Sequence, residues 1–471
     1  MKIFLRPLLG FAAAAILIAA SGCGGEDPTG KLSLHVRFPQ NWENLLNISM
    51  LDASAGTAYI DTIRAIVDCG EASPPFWDSP GSDSSLSLGT LDLKGGCDLT
   101  VQAITGGVVI MEKTQQAVSI PAGATSSHDV QLSISGGFDY AGSLTWPRMY
   151  HSAVAIGNDE VLVLGGSLGT KSIERVIYSN QGTTTAAFGC SLNDYRTRQK
   201  ALYDPISGRV FVFLGGTGTL DNEYEAIDVA NEQCAPHFLY NTRTEFFPAI
   251  YGQQIYLLGG YDENSNWIIN TTKIDINLLS EGIAPDMGIM NEKKDVQCSA
   301  SVDNLACLGG MIAINYTDEV ETFDLQLEVD KGLINLSQPK KDFSVTKLSD
   351  GRIFIAGGIG NSGKLQDVEI FDLSKNISNS FLGVLKKPRI FHTATELLDG
   401  KILITGGGVT VDIARSAEIF DPVTHTSREV PWMMRIPRSG HTATLLSDGR
   451  VLIIGGNPGD TSMEIFNPSA P

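Results

Sequence analysis

Charge is scarce in this sequence. Only 18% of the 471 residues are Asp, Glu, Lys or Arg, and 34 Lys and Arg face 53 Asp and Glu, for a net charge of −19. That balance argues against a nucleic-acid partner, because phosphate binding runs on neutralisation by Lys and Arg. Cysteine is scarcer still, at seven. No two stand as C-x-x-C, which argues against structural zinc and thioredoxin-like chemistry. The sequence also lacks H-E-x-x-H, a G-x-S-x-G elbow and a P-loop, so the usual metal-protease, serine-hydrolase and nucleotide-binding patterns are missing. No apolar run approaches the length of a membrane-spanning helix. Glycine is the opposite case: there are 50, but with no G-X-Y period, so collagen is excluded. With 42% hydrophobic residues the chain can bury a core, and its length allows about two to four domains.

The first residues read as an export address. Lys2 and Arg6 flank the start, an apolar stretch runs from Leu8 to Ala20, and small residues follow. That is the layout of a secretory signal, too short to span a bilayer. Ala20-Ser21-Gly22-Cys23 resembles a bacterial lipobox. The resemblance implies cleavage before Cys23, lipidation of that residue and anchoring in the cell envelope, and Gly24 after it implies the outer membrane. Residues 1–22 are therefore expected to be a signal peptide and 23–30 an anchor linker, with the protein held to the membrane by its N-terminal lipid and either periplasmic or surface-exposed. The six other cysteines are even in number, as an oxidising compartment favours. Proximity pairs Cys69 with Cys97 and Cys298 with Cys307, which leaves Cys190 with Cys234.

A repeat dominates the rest. An apolar run ending in Gly-Gly recurs seven times, the first glycine being Gly165, Gly215, Gly259, Gly309, Gly357, Gly406 and Gly455. A period in the forties suits four-stranded propeller blades. Asp350-Gly351, Asp399-Gly400 and Asp448-Gly449 supply hairpin turns just upstream. The glycine pair is expected where backbone passes close to a neighbouring blade and a Cβ would clash. A third strand carries an aromatic and an acid: Phe323-Asp324, Phe371-Asp372 and Phe420-Asp421. Arg148–Ala153, Arg389–Ala394 and Arg438–Ala443 share the form R-x-x-H-S/T-A before the pair.

These motifs are similar to those of the kelch family. The resemblance implies a seven-bladed kelch-like β-propeller over 137–471; residues 31–135 read separately as a β-sandwich whose tail resembles immunoglobulin-like spacer modules, so the whole chain is expected to be all-β. The sandwich, expected to serve as a stalk, is read from seven short alternating runs, KLSLHVR, AYIDTIRAIV, SLSLGTLDL, CDLTVQAI, VVIMEKT, QQAVSI and HDVQLSI, separated by turn-rich pieces including SPPFWDSPGSDSS and PAGATSS. The chain ends after the third strand of unit seven, so the fourth is expected from residues 137–146, which would close the ring from both termini. Deleting the last ten residues should then abolish the cooperative melt. Cys190 and Cys234 each lie 25 residues before a Gly-Gly, at equivalent outer positions of adjacent blades. That spacing places them beyond the roughly 7 Å Cα limit for a bridge.

Candidate chemistry comes next. His151, His392 and His441 each precede a Gly-Gly by 14 residues and are repeat residues of the inner strand rather than a converging metal set; no metal or cofactor is expected. Arg148, Arg198, Lys340, Arg389 and Arg438 each precede a pair by 17, and are expected as a cationic collar at one channel mouth, suited to a carboxylate ligand or an acidic peptide, or else as ion-pair partners within the ring. The longest loop after a glycine pair holds Tyr261, Asn264 and Trp267, frequent types among binding anchors. The function expected is recognition of a protein or glycan ligand at the cell surface, with no catalytic residue assigned. The enzyme alternatives are a ring resembling N-acetylneuraminate epimerase, which would need an arginine for the carboxylate and an acid/base pair, and a copper oxidase like galactose oxidase, whose two His, two Tyr and cross-linked Cys find no match here.

Overall fold

The computed structural model describes residues 14–17, 31–37, 62–68, 76–80, 97–105, 108–118, 125–131, 133–134 and 136–468, the last with gaps at short loops of which 214–222, 240–245 and 285–291 are the longest. Its contacts divide the chain into two compact units, one of 140–430 with 434–465, the other of 1–139 with 431–433 and 466–471.

The larger unit is built from seven antiparallel four-stranded sheets; in six of them strand order follows chain order, and the seventh takes its outermost strand from ahead of the first. The inner strands are Ser152–Gly157, Lys200–Asp204, Phe247–Tyr251, Gln297–Ser301, Ser344–Lys347, Thr393–Glu396 and Thr442–Leu445. Each touches the next, and the seventh touches the first, so the sheets close into a seven-bladed propeller. The closing seam is polar as well: the backbone N–H and Oγ of Ser447 both donate to the Asp159 carboxylate. The outermost strand of the seventh sheet is Gly137–Ser143. Leu144 N donates to Thr461 O at 2.9 Å, and Ala141 and Leu144 share a buried cluster with Met463 and Ile465.

The second strand of each blade explains the continuous apolar runs before Gly-Gly. Val451, Leu452, Ile453 and Ile454 are all fully buried, because both faces of the sheet pack on neighbours. The cores are shared: Phe354 and Ile370 of the fifth blade cluster with Ile402, Ile404 and Phe420 of the sixth. At about 1.5–3 kcal/mol per buried side chain, these layers hold the blades together. The glycine pair does what its spacing suggests. Gly406 has φ +60°, and a Cβ there would stand 2.6 Å from Arg438 O; at Gly455 the same atom would meet Arg148 O at 2.5 Å. The contact is made instead by the second glycine of each pair: Gly407 N donates to Arg438 O and Gly456 N to Arg148 O.

In the smaller unit the described strands form two sheets. One runs Phe76–Pro80, Thr62–Asp68, Cys97–Thr105, Val108–Val118, Ser133–Ile134; the other runs Ala14–Leu17, Lys31–Arg37, Thr125–Gln131, the last two parallel. Two expectations need correction. Phe76–Pro80, read from sequence as turn-rich, is a strand: its aromatic pair favours a pleated surface, and an edge position tolerates proline. The runs VVIMEKT and QQAVSI form one strand of 11 residues, not two. The run SLSLGTLDL, Cys23 and Cys69 lie outside the described residues.

Both pairings of propeller cysteines occur. Cys298 and Cys307 face each other in register on adjacent strands, with Cα atoms 4.1 Å apart. Cys190 and Cys234 are also bridged, at a Cα separation of 5.8 Å, so the geometric objection fails. The outer strands of blades one and two run side by side here rather than splaying, and Gly189 N donates to the Glu232 carboxylate at 2.9 Å beside the bridge.

Candidate functional site

The cations spaced 17 before Gly-Gly divide into two groups. Arg148, Lys340, Arg389 and Arg438 are fully buried. Each is paired with a glutamate on the third strand of its own blade: Arg148 with Glu174 at 2.8 Å, Arg389 with Glu418 at 3.1 Å, Arg438 with Glu464 at 2.8 Å, and Lys340 with Glu369. Arg389 and Arg438 also donate to the carbonyl of their own Gly406 and Gly455. The second oxygen of each glutamate caps the backbone N–H three residues before the cation, as in Thr145 N to Glu174, Ser337 N to Glu369, Lys386 N to Glu418 and Arg435 N to Glu464. Burial lowers the pKa of Arg148 and Arg389, and the paired glutamates oppose it. These four residues are therefore brackets inside the blades and not a collar at a mouth.

In the second blade the bracket is Arg196, paired with Glu225 at 3.0 Å; in the fourth it is Lys293, paired with Glu321 at 3.0 Å. Counting back from Gly-Gly misses both, because the intervening hairpins differ in length. The partner glutamates were also missed. Their signal is legible: Glu321, Glu369 and Glu418 each stand two residues before the recurrent phenylalanine.

Arg198 is different. It stands two residues after its bracket, as Tyr150 does after Arg148, Phe391 after Arg389 and Gly440 after Arg438. Asp295 and Asp342 hold the same place after Lys293 and Lys340. All six have positive φ, between 51° and 63°. Five are not glycine, and that region is sparsely populated for other residues. The conformation lets the backbone link blade to blade around the axis: Arg198 N donates to Tyr150 O, Tyr150 N to Gly440 O, Gly440 N to Phe391 O and Phe391 N to Asp342 O. These residues form the mouth of the ring.

Their side chains make an asymmetric lining. The exposed Arg198 guanidinium lies over the Tyr150 ring at 4.8 Å and the Phe391 ring at 6.0 Å, and the two rings meet edge to face. Across the mouth Lys341 binds Asp295 at 2.8 Å. Asp342 is half-buried and makes no side-chain hydrogen bond or ion pair among the described residues. Burial raises its pKa; Lys341 and Arg198 lower it, and the charge of Asp295 raises it. A guanidinium seated over aromatic rings is positioned to offer its fork to a carboxylate. A partly desolvated carboxyl can accept from a hydroxyl or ammonium, or deliver a proton.

The other candidates are placed as follows. Tyr261 is buried, bridges to Trp267 edge to face at 5.0 Å, and donates to Glu292 at 3.3 Å. Trp267 packs on the core of blades three and four. Asn264 is exposed, and its N–H closes a turn on Asp262. The three repeat histidines are buried: His441 Nε2 meets Thr393 and Thr405, and His151 Nε2 meets Thr442. Burial, with the neighbouring bracket arginines, drops His151 and His392 to about 3 and His441 well below its usual value. Among the described residues no group of three His, Cys, Asp or Glu could hold a metal ion, and no helix is long and apolar enough to cross a membrane.

No family model and no curated protein matches the chain. Among solved structures it is similar to one titled "Structure of YjhT", at 13% identity and a TM-score of 0.46, covering 61% of this chain and 98% of that one. The propeller is read from the strand pairing of the chain itself.

Proposed function

We propose that this chain is an exported, lipid-anchored propeller that recognises a protein or glycan ligand at the cell surface through the mouth formed by Tyr150, Arg198, Asp295, Asp342 and Phe391. One observation carries the reading. The ring spends its buried cations on glutamate partners, yet at the mouth Arg198 is exposed on two aromatic faces and the Asp342 carboxyl has no hydrogen-bond or ion-pair partner among the described residues. Loops and turns on a rigid scaffold are where recognition groups are displayed. The test is a glycan and peptide array probed with the chain from residue 24 onward and with its Arg198→Gln variant. Binding to one ligand class, lost in the variant, supports the reading; silence on every array, with turnover on a sugar, overturns it.

A second reading has one observation in its favour. A carbohydrate-active ring resembling N-acetylneuraminate epimerase needs a cation for the carboxylate and a group able to exchange a proton, and Arg198 and the raised Asp342 are two such groups facing one mouth. Stabilisation by sialic acids together with turnover, both lost in Asp342→Asn, is the outcome that would favour it.

A further inference from the structure

The mouth carries both signs of charge. Its described residues are Tyr150, Arg198, Asp295, Asp342, Phe391 and Gly440; the counterpart in blade three lies outside the described residues. Lys341, beside Asp342, completes two cations and two anions. Lys341 and Asp295 are closed on each other at 2.8 Å. Arg198 and Asp342 are left open. The Arg198 guanidinium touches only the Tyr150 and Phe391 rings, and the Asp342 carboxyl has no hydrogen-bond or ion-pair partner, among the described residues.

These two open charges share one place. Arg198 rises from blade two, yet its guanidinium lies over the Phe391 ring of blade six, and Phe391 N donates to Asp342 O of blade five at 3.3 Å. Burial raises the Asp342 pKa; Lys341 and Arg198 oppose that rise and Asp295 adds to it, so the Arg198 charge reaches the carboxyl although the two groups are not bonded. The seat of the cation is built into the ring. A Cβ on Gly440 would stand 2.6 Å from Tyr150 Cε1, so glycine there makes room for the Tyr150 ring, which meets Phe391 edge to face beneath the guanidinium.

This pattern selects against singly charged ligands. A lone carboxylate on Arg198 has Asp342 close by, and a lone ammonium on Asp342 has Arg198 close by; each brings like charges together. We propose that the mouth binds a zwitterionic α-amino-acid group carried on a larger molecule, with its carboxylate on Arg198 and its ammonium on Asp342. The proposal rests on the mouth being the recognition site and names the chemistry recognised there. Arg198 offers a planar fork to the carboxylate, and Asp342 offers acceptor oxygens to the N–H donors of the ammonium.

The experiment is calorimetric titration of the chain from residue 24 onward with alanine, against N-acetylalanine, which keeps only the carboxylate, and alaninamide, which keeps only the ammonium, at neutral pH and matched ionic strength. Alanine should bind about tenfold more tightly than either. Asparagine tolerates the positive φ of position 342, so Asp342→Asn should fold; it should erase the preference over N-acetylalanine and keep the preference over alaninamide. Arg198→Gln should do the reverse, and Lys375→Ala, in the hairpin after the third strand of blade five, should leave both preferences unchanged. No binding of alanine, equal affinity for alanine and either blocked form, or a variant that loses both preferences together overturns the proposal. Should a variant fail to fold, the wild-type comparison decides alone. Nε-acetyllysine carries the same group at the end of a longer neutral chain and should bind at least as tightly as alanine. Weaker binding of Nε-acetyllysine, with the alanine preferences intact, would make the ligand a free amino acid and sink the broader reading of a protein or glycan ligand. Array binding that depends on Arg198 without any preference for alanine over its blocked forms would sink this proposal alone.

Discussion

Removing one bracket glutamate tests whether the propeller is held by its internal ion pairs. Glu418 is fully buried and accepts from Arg389, from the backbone N–H of Lys386 and Lys387, and from Ser427 Oγ. Glu418→Ala leaves the Arg389 guanidinium buried with carbonyls and one hydroxyl as its remaining partners. Breaking a buried pair in this way costs about 3–5 kcal/mol, mostly because the surviving charge loses compensation. Unfolding entropy of about 2 cal/mol/K per residue, taken over a ring of roughly 330 residues, gives about 0.7 kcal/mol/K, so the melting temperature should fall by about 4–7 °C. Lys375→Ala, which removes an exposed pair with Asp372, should move it by less than about 1–2 °C. Differential scanning calorimetry at fixed protein concentration reads both. An Arg389→Met/Glu418→Leu double variant should recover part of the loss, since an apolar pair of similar volume carries no desolvation penalty. A Glu418→Ala melt indistinguishable from wild type would refute the idea that the brackets hold the blades.

Gly406→Ala combines positive φ with a Cβ 2.6 Å from Arg438 O and should cost about 2 kcal/mol or more, whereas Gly400→Ala, whose Cβ meets nothing within 4 Å, should cost about 1 kcal/mol; urea titration separates them. Cys190→Ser with Cys234→Ser opens a loop of 44 residues and should lose about 4 kcal/mol on the loop-entropy account, read as a lower urea midpoint; an unchanged midpoint would show that the bridge constrains little. The repeat histidines predict acid sensitivity. Folded, His151 and His392 titrate at about 3, below the roughly 6.5 of an unfolded chain, so between those values the unfolded state binds more protons and stability falls as pH drops. Melting temperature should decline from pH 6.5 toward 4, and His151→Asn should flatten that slope; a slope that does not change would assign the acid sensitivity elsewhere.

The ring was legible because its cause is local. A strand buried on both faces must be continuously apolar, and a position whose Cβ would stand 2.6 Å from a neighbouring carbonyl oxygen must be glycine, so each blade writes its core into the chain. The bracket ion pairs were half legible: the arginines stand in a visible motif, but a partner 26 to 29 residues downstream depends on a strand register no spacing rule supplies. The Cys190–Cys234 bridge was reached by elimination, but the spacing argument against it failed for a related reason, since the distance between outer strands is set by how far two blades diverge.

The mouth shows most clearly where counting fails. Measured from Gly-Gly, Arg198 aligns with Arg148 and Arg389; measured from its glutamate, the aligned residue is Arg196, because blade two carries one more residue between its paired positions Lys200 and Phe213 than lies between Ser152 and Leu164 or Thr393 and Thr405, and one more, Leu214, before its Gly-Gly. The same two-residue shift turns Arg198 from a buried bracket into the blade-two equivalent of Tyr150 and Phe391, and it brings Lys200 to the place of Ser152 and Thr442. A repeat fixes most side chains by their structural duties. At this mouth position those duties are met by the backbone, through positive φ and the blade-to-blade hydrogen bonds, so the side chains are free to differ, and tyrosine, arginine, aspartate, phenylalanine and glycine all occur. The place where the repeat stops constraining side chains is therefore the place where recognition can be written, and in this chain blade two sets the exposed Arg198 there.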